Sequence, residues 1–462
     1  VFGCRTKPQF FVEEGTLSFS TDTVFFDTIF TGFPSPTERL VVTNKTGKNV
    51  RISDISFENG TEYDLIFDGI DSDSIQDYEL ANGDSAVAFI NFTSGEMDAF
   101  TRDRLVFTVG DETQRVDIEA FVFDALFYRD TILGGFGGPT MTVWQADQKY
   151  VIDGCLQVPD GHTLWIEAGT QVYFTPRKDA NFNLISSIKV FGRLIVKGTV
   201  GNEVVFQQTR FGNRYDETPG QWRGIAFANI SRSNTLEHCI VKNGLIGIYQ
   251  EFQNDAPAPK VGLESVEIRN MGAYGILSVG YQPLAPNHPQ IRARNSLIHN
   301  CAEATLAIIG GGHYQFEHCT FVNYTMDFTR NSPQMLLNNY DPDELVVFPM
   351  KTRFRNCIIW GSEEEEVVPD SFPVVDAFDV TLDDCLARTT LELKGSNIKT
   401  SEDFDFPKFV APTEAEADER DYRLKAWSPA VNEGADLPWI SVDLDDKPRD
   451  SLPDIGCYEY SE

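Results

Sequence analysis

The sequence predicts an all-β chain, a small β-sandwich followed by a long right-handed parallel β-helix. Three observations carry that prediction. An eight-residue pattern recurs six times between residues 236 and 389. Residues 17–124 alternate apolar and polar side chains in short runs broken by turn residues, with almost no helical period. Apolar residues make up 41% of the chain and aromatics 12%, ample for the buried faces such sheets need.

At 462 residues the chain is too long for one ordinary core, so two or three domains are expected. The formal charge of −32 argues against nucleic acid, whose phosphates it would repel, and against bare anionic lipid. No run of about 18 apolar residues occurs, the length a membrane-crossing helix requires. Eight cysteines in a chain this long are too sparse for a disulfide-stapled scaffold, and no CxxC pair suggests a zinc knuckle.

Residues 1–14 read as a tether. Gly3-Cys4 resembles the end of a bacterial lipoprotein signal, where a small residue precedes the cysteine that is lipidated, and Arg5–Gly15 is short and polar. That resemblance implies a lipid anchor on Cys4. Residues 15–124 supply the sandwich: Leu17, Phe19, Val24 and Phe26 alternate with polar residues. Leu40-Val41-Val42 precedes the turn Asn44–Lys48, and Ala86–Phe92, Leu105–Val109 and Val116–Phe121 give the later strands. The stretches LSFSTDTVFFDTIF, RLVVTNKTGKNVRI and RLVFTVGDETQRVDIEAF resemble hydin-like immunoglobulin modules, which implies an immunoglobulin-like β-sandwich acting as spacer or protein-binding unit.

Residues 125–462 are expected to form the parallel β-helix. Its repeats are Leu236–Asn243, Leu263–Asn270, Ala293–Asn300, Phe316–Asn323, Phe354–Gly361 and Leu382–Thr389, whose starts lie 27, 30, 23, 38 and 28 residues apart. Position four carries Cys239, Val266, Ser296, Cys319, Cys357 and Cys385, and position six Val241, Ile268, Ile298, Phe321 and Ile359. Alternate strand residues share a face, so coils stacked about 4.8 Å apart line these into an internal ladder. Position eight carries Asn243, Asn270, Asn300 and Asn323; asparagine tolerates a left-handed corner and can bond its neighbours in adjacent coils. Upstream, Thr163–Phe174 and Arg193–Phe206 read as opening coils, with Leu164, Ile166, Val172, Leu194 and Val196 inward.

With Pro219–Phe227, these repeats resemble a widespread group of bacterial parallel β-helix lipoproteins. From about residue 420, RLKAWSPAVNEGADLPWISVDLDDKPRDSLPDIGCYEY resembles the choice-of-anchor-type closing segment of such helices, commonly SPAIDAG…DLDGNPR…DIGAYE. The likeness implies fold and export, and with the anchor it implies a lipid-anchored outer-membrane protein, on the cell surface rather than the periplasmic face. It implies no agreed activity.

The chemical constellations each meet a structural reading that accounts for them. In His238-Cys239 and His318-Cys319 the cysteine points in where its histidine points out, which opposes a zinc site. Asp384 should face outward beside Asp383, but the Asn-Thr-Asp, Gly-His-Gly and Arg-x-Lys motifs of pectinase-type helices are missing, and Gly310-Gly311-Gly312-His313 does not replace them. Glu363–Glu366 reads as a solvated loop. Asp443, Asp445 and Asp446 offer oxygen ligands of the kind calcium takes, in a turn where acidic residues are common anyway. Trp222, Trp360, Trp427 and Trp439 read as core. No catalytic or metal residue, and no cofactor, is therefore expected.

The 38-residue interval after Phe316 predicts an inserted loop within 330–350, rich in Met335, Leu336, Leu337, Tyr340, Val346, Val347 and Phe348, a candidate partner-binding surface. The sequence thus favours a non-catalytic outer-membrane lipoprotein, a binding or scaffold subunit among outer-membrane proteins. The alternative is a carbohydrate-active β-helix, either a polysaccharide lyase or glycoside hydrolase or a surface protein binding polysaccharide.

Overall fold

Period-two alternation needs a sheet with one dry face, and the N-terminal part of the chain supplies two. In this computed structural model all residues are described except 1–9, 33–34, 61, 94–98, 136–137, 139, 212–214, 216, 252–258, 282–286, 325–328, 342, 344–345, 373–376, 415–418 and 462. Cys4 therefore lies outside the described residues. The chain divides into two units, Val1–Ala125 with Arg210–Asn213, and Leu126–Thr209 with Arg214–Glu462.

In the first unit one sheet orders the strands Phe11–Val12, Asn49–Phe57, Ala99–Val109, Glu112–Phe123 and Thr23–Phe30, with Ser74–Leu80 paired to Asn49–Phe57. The other orders Ser18–Phe19, Glu38–Thr43, Ser85–Phe92, Tyr63–Phe67 and Ile70–Asp71. Val109 pairs with Glu112 across a two-residue turn whose Gly110 has φ 59°, the left-handed conformation tight hairpins require. Leu40, Val42, Ala88 and Ile90 of one sheet share a core with Ile52, Leu105, Phe107 and Ile118 of the other.

The second unit is all strand and loop among its described residues, and its long strands pair in parallel. A 19-stranded and an 8-stranded sheet run side by side, and each turn of chain adds strands to both. The register matches the repeat residue for residue: Leu236 pairs with Leu263, then Ala293, Phe316, Phe354 and Leu382 in successive coils. Positions one, four and six are buried in one continuous core, cysteines included. Leu164, Ile166, Val172, Leu194 and Val196 of the opening coils join it. Three of the position-eight asparagines form a buried ladder, whereas Asn323 is not left-handed and instead bonds the backbone amide and carbonyl of Cys301. Asn270 Nδ2 donates to Asn243 Oδ1 at 2.5 Å, and Asn300 Nδ2 to Asn270 Oδ1 at 3.1 Å. Asn243, Asn270 and Asn300 are left-handed, with φ of 62°, 54° and 52°.

A second left-handed column is not legible in the repeat. His238, Ser265, Asn295, His318, Asn356 and Asp384, all at position three, have φ between 44° and 53°. Each kinks its strand, separating the arm that carries positions one and two from the arm that carries positions four to eight.

The insertion needs correcting. Met335–Asn338 is a strand of the 8-stranded sheet, paired to Ala304–Ile309 and Val367–Asp370, and Met335 and Leu337 are core. Leu336 alternates outward between them and is half-buried. What leaves the coil is a small hairpin, Tyr340–Asp341 against Val346–Val347. Its extra residues account for the long interval, whereas Met335–Leu337 are apolar because every coil must fill its own interior.

The last part of the chain does not continue the stack. Strands Phe409–Ala411 and Asp421–Leu424 pair antiparallel, and with the following loops form a strap. The strap lies over position-five and position-seven residues: Leu297, Val322, Ile358, Trp360 and Leu386 share an apolar cluster with Phe409, Tyr422, Leu424, Ala430 and Ile455.

Candidate functional site

Between strap and coils lies a cleft of about 230 Å³. From the coils, the kinked arm presents His238, Glu267 and Arg269; from the strap come Arg420, Arg423, Asp445 and Tyr458. Glu267 and Arg269 stand at positions five and seven of one repeat, so they share a face and both point away from the core.

The charges are fixed by their neighbours. Glu267 Oε1 accepts from Arg269 Nη1 at 3.1 Å and from His299 Nε2 at 3.2 Å. Burial would push the Glu267 carboxyl up, but Arg269 and the His299 hydrogen bond outweigh it and hold it at about 2. A carboxylate only accepts, so His299 carries its proton on Nε2. Burial holds that imidazole below its ordinary range despite the Glu267 charge. Its Nδ1 has no hydrogen-bond partner among the described residues. Across the cleft Arg423 grips both oxygens of Asp445, with Nε to Oδ2 at 2.9 Å and Nη2 to Oδ1 at 3.0 Å. Its guanidinium lies 4.7 Å from the Tyr458 ring centre. His238 Nε2 stands 3.7 Å from Asp446 Oδ1 at the rim.

This arrangement binds better than it reacts. Cys239 borders the cleft, yet burial raises its thiol far above the range in which a thiolate forms. Glu267 stays ionised and cannot donate a proton near neutrality. The one repeat carboxyl held near neutrality is Glu264, at about 7. Its burial and the neighbouring Glu237 and Glu317 charges raise it against the pull of Arg294. Glu264 stands on the other arm of the kinked strand, outside the cleft lining.

The residues singled out from sequence are scattered. Asp443 uses its oxygens on the backbone amides of Asp445, Lys447 and Glu459, and Asp445 is held by Arg423. Asp384 faces outward and accepts from Asn397 Nδ2 at 2.8 Å. His318 lies beneath the strap, remote from Cys319's interior column. Tyr340 bonds Asp370 and sets its ring at a tilt against Phe372, while Phe348 meets Tyr281 edge to face. Of the seven apolar residues singled out there, Val346 is the exposed one, at 42%.

Two expectations are overturned. Glu366 is not solvated: it is fully buried, bound by both terminal nitrogens of Arg330 at 2.6 and 2.8 Å, and accepts from the Gln334 amide. A run of glutamates hides this, because the partner lies 36 residues away. Trp222 and Trp360 are core, but Trp427 and Trp439 are 71% and 53% exposed, because Leu424, Ala430 and Ile455 fill the space under the strap. Glu267, Arg269, Arg420 and Arg423 carry no signal in the sequence: Glu267 and Arg269 stand at outward positions five and seven, which the repeat leaves free, and Arg423 only opens the closing segment.

No family model and no curated protein matches the chain. Among solved structures it is similar to the catalytic domain of a GH87 α-1,3-glucanase in complex with nigerose. The identity is 9% over 80% of this chain and 87% of that one, with a TM-score of 0.29. The Agl-KA catalytic domain matches at 12% identity over 78% and 86%, TM-score 0.27. A family 123 glycoside hydrolase from Clostridium perfringens matches at 11% over 28% of this chain and 30% of its own length, TM-score 0.19. Similarity at that level says nothing about activity.

Proposed function

We propose that this chain is a glycan-binding surface protein of the right-handed parallel β-helix class, taking a saccharide unit into the cleft under the strap. The supporting observation is the cleft itself: small, polar, and lined by fixed guanidinium donors facing fixed carboxylate acceptors. A sugar hydroxyl both donates and accepts, so a polyhydroxylated neutral ligand satisfies both sets without introducing a net charge. In this reading the N-terminal sandwich is an immunoglobulin-like spacer, Cys4 carries the lipid, and the protein sits on the outer membrane. Binding of the intact protein to immobilised bacterial and plant polysaccharides tests it. Arg269→Ala and Arg423→Ala should each weaken binding at least tenfold, and failure to bind any glycan ends the proposal.

A scaffold role beside other outer-membrane proteins has one specific observation behind it. Phe25, Phe100 and Phe121 cluster on the outer face of the sandwich, 43–49% exposed, with ring centres 4.9 and 6.0 Å apart. Phe100→Asp with Phe121→Asp should abolish co-purification of partners from membranes while leaving glycan binding intact. Partners retained by that variant dispose of this reading.

A further inference from the structure

The strap is fastened to the coils along the left-handed column, 138 residues away in sequence at its His318–Gly456 contact. Asn295 Nδ2 donates to the Val442 carbonyl and its Oδ1 accepts from Arg449 Nη2. Asn356 grips Ala435 twice: Oδ1 accepts from the Ala435 amide at 2.9 Å, and Nδ2 donates to the Ala435 carbonyl at 2.8 Å. The same Nδ2 lies 2.8 Å from His318 Nε2.

These bonds fix the protonation state of a fully buried imidazole. Asn356 is oriented by Ala435, so it presents its amino group, and His318 Nε2 must accept. The proton then sits on Nδ1 and points at the Gly456 carbonyl at 3.3 Å. We propose that His318 is a proton-sensitive latch, which releases the strap on acidification and so opens the cleft the strap covers.

A second proton on Nε2 would set N–H against the Asn356 amino group. Turning the Asn356 amide would relieve that clash but set like groups against both Ala435 atoms, so each arrangement loses hydrogen bonds in a buried site. The surrounding charges do not rescue the cation. Arg449, whose Nη2 already donates to the Gly456 carbonyl, faces His318 from the strap. Its carboxylate neighbours are otherwise engaged: Glu459 holds Arg449, Asp454 accepts from the Asn432 and Tyr460 amides, and Asp443 accepts from backbone amides. Beside His318 on its own strand, Glu317 holds Arg294 and Trp439. Cys319 and Cys457 are buried, free cysteines. Burial and Arg449 together keep His318 well below the ordinary histidine value of 6.5.

The direction follows by linkage. With the strap open, His318 regains its ordinary affinity and takes up a proton that the closed form refuses, so closure is complete above about pH 6.5 and weakens below it, by up to tenfold per pH unit. His299, buried under Tyr422 beside Glu267, Arg269 and Arg420, adds to the same slope. Glu459, raised to about 7 by burial and the Asp454 charge, sheds a proton on opening over the same range and offsets one of the two. The cleft's ligand rests on the function proposed above; the latch does not.

Hydrogen exchange of the intact protein without ligand tests it, at pH 7.5, 6.5 and 5.5 and corrected for intrinsic rates. The Gly456 amide, which donates to the Asn356 carbonyl, should open about fivefold more from 6.5 to 5.5, while amides of Val261–Met271 hold steady. His318→Gln, which still offers Asn356 an acceptor, should reduce that slope. If this variant is open at every pH, the imidazole titration in the unaltered protein decides: an ordinary value near 6.5 with the strap closed overturns the latch. A Gly456 opening that is flat with pH overturns it too. Loss of glycan binding with an intact latch would instead overturn the proposed ligand.

Discussion

Two columns of the same repeat bury most of their side chains, yet they are held by opposite physics. Positions one, four and six face a dry interior where Leu, Val, Ile, Phe and Cys stack on their own kind in the next coil. Position three faces the strap, and there His318, Asn356 and Asn295 are buried by hydrogen bonds to a segment far away in sequence. The interior column tolerates exchange among apolar residues of similar volume; the outer one depends on which atom donates and which accepts. Burial alone therefore does not say what a position in this repeat will accept.

The largest effect that would sharpen this contrast lies on the polar side. Arg330→Ala should cost about 3–5 kcal/mol in chemical denaturation, because it leaves the Glu366 carboxylate buried without its partner. A cost below about 1 kcal/mol would mean the pair is solvated and the contrast overdrawn. Next comes the dry column: Ile298→Ala should cost about 2–5 kcal/mol through lost burial and the cavity left behind, and Ile298→Val much less. Equal costs for the two would show that volume is not what the column selects.

Asn270→Ala should cost about 1–3 kcal/mol, since Asn243 Oδ1 and Asn300 Nδ2 both lose a buried partner and alanine resists the left-handed backbone. Asn270→Asp, which keeps the shape but removes the donor, should lie close to it. The smallest effect concerns Glu264, half-buried at position two. Its folded value of about 7 exceeds the ordinary 4.5, so between those values the folded chain keeps a proton the unfolded chain has released. Stability should decline as pH rises from about 4.5 through about 7, and Glu264→Gln should flatten that slope. An unchanged slope would assign it elsewhere.

The asparagine ladder and the inward cysteines were legible because coils repeat a local rule: period two sets the face, and recurrence aligns it. The same rule misled at Met335–Leu337, where apolar residues of an ordinary coil strand passed for a loop surface. It gave no hint of the kink at position three, because histidine, serine, asparagine and aspartate share no obvious signature beyond tolerating φ near 50°.

What the amino-acid order determined by itself is the stack: all-β, parallel, with its interior residues named in advance. What only tertiary structure decided is where the strap comes to rest, and hence the cleft, the Arg423–Asp445 and Glu267–His299 pairings, and the state of His318. The reason is range. An interior column is specified by residues one coil apart, each constrained in the same way, so pattern suffices. The strap's contacts are single encounters between unlike segments, and hydrogen-bond complementarity between two such surfaces leaves no period in either.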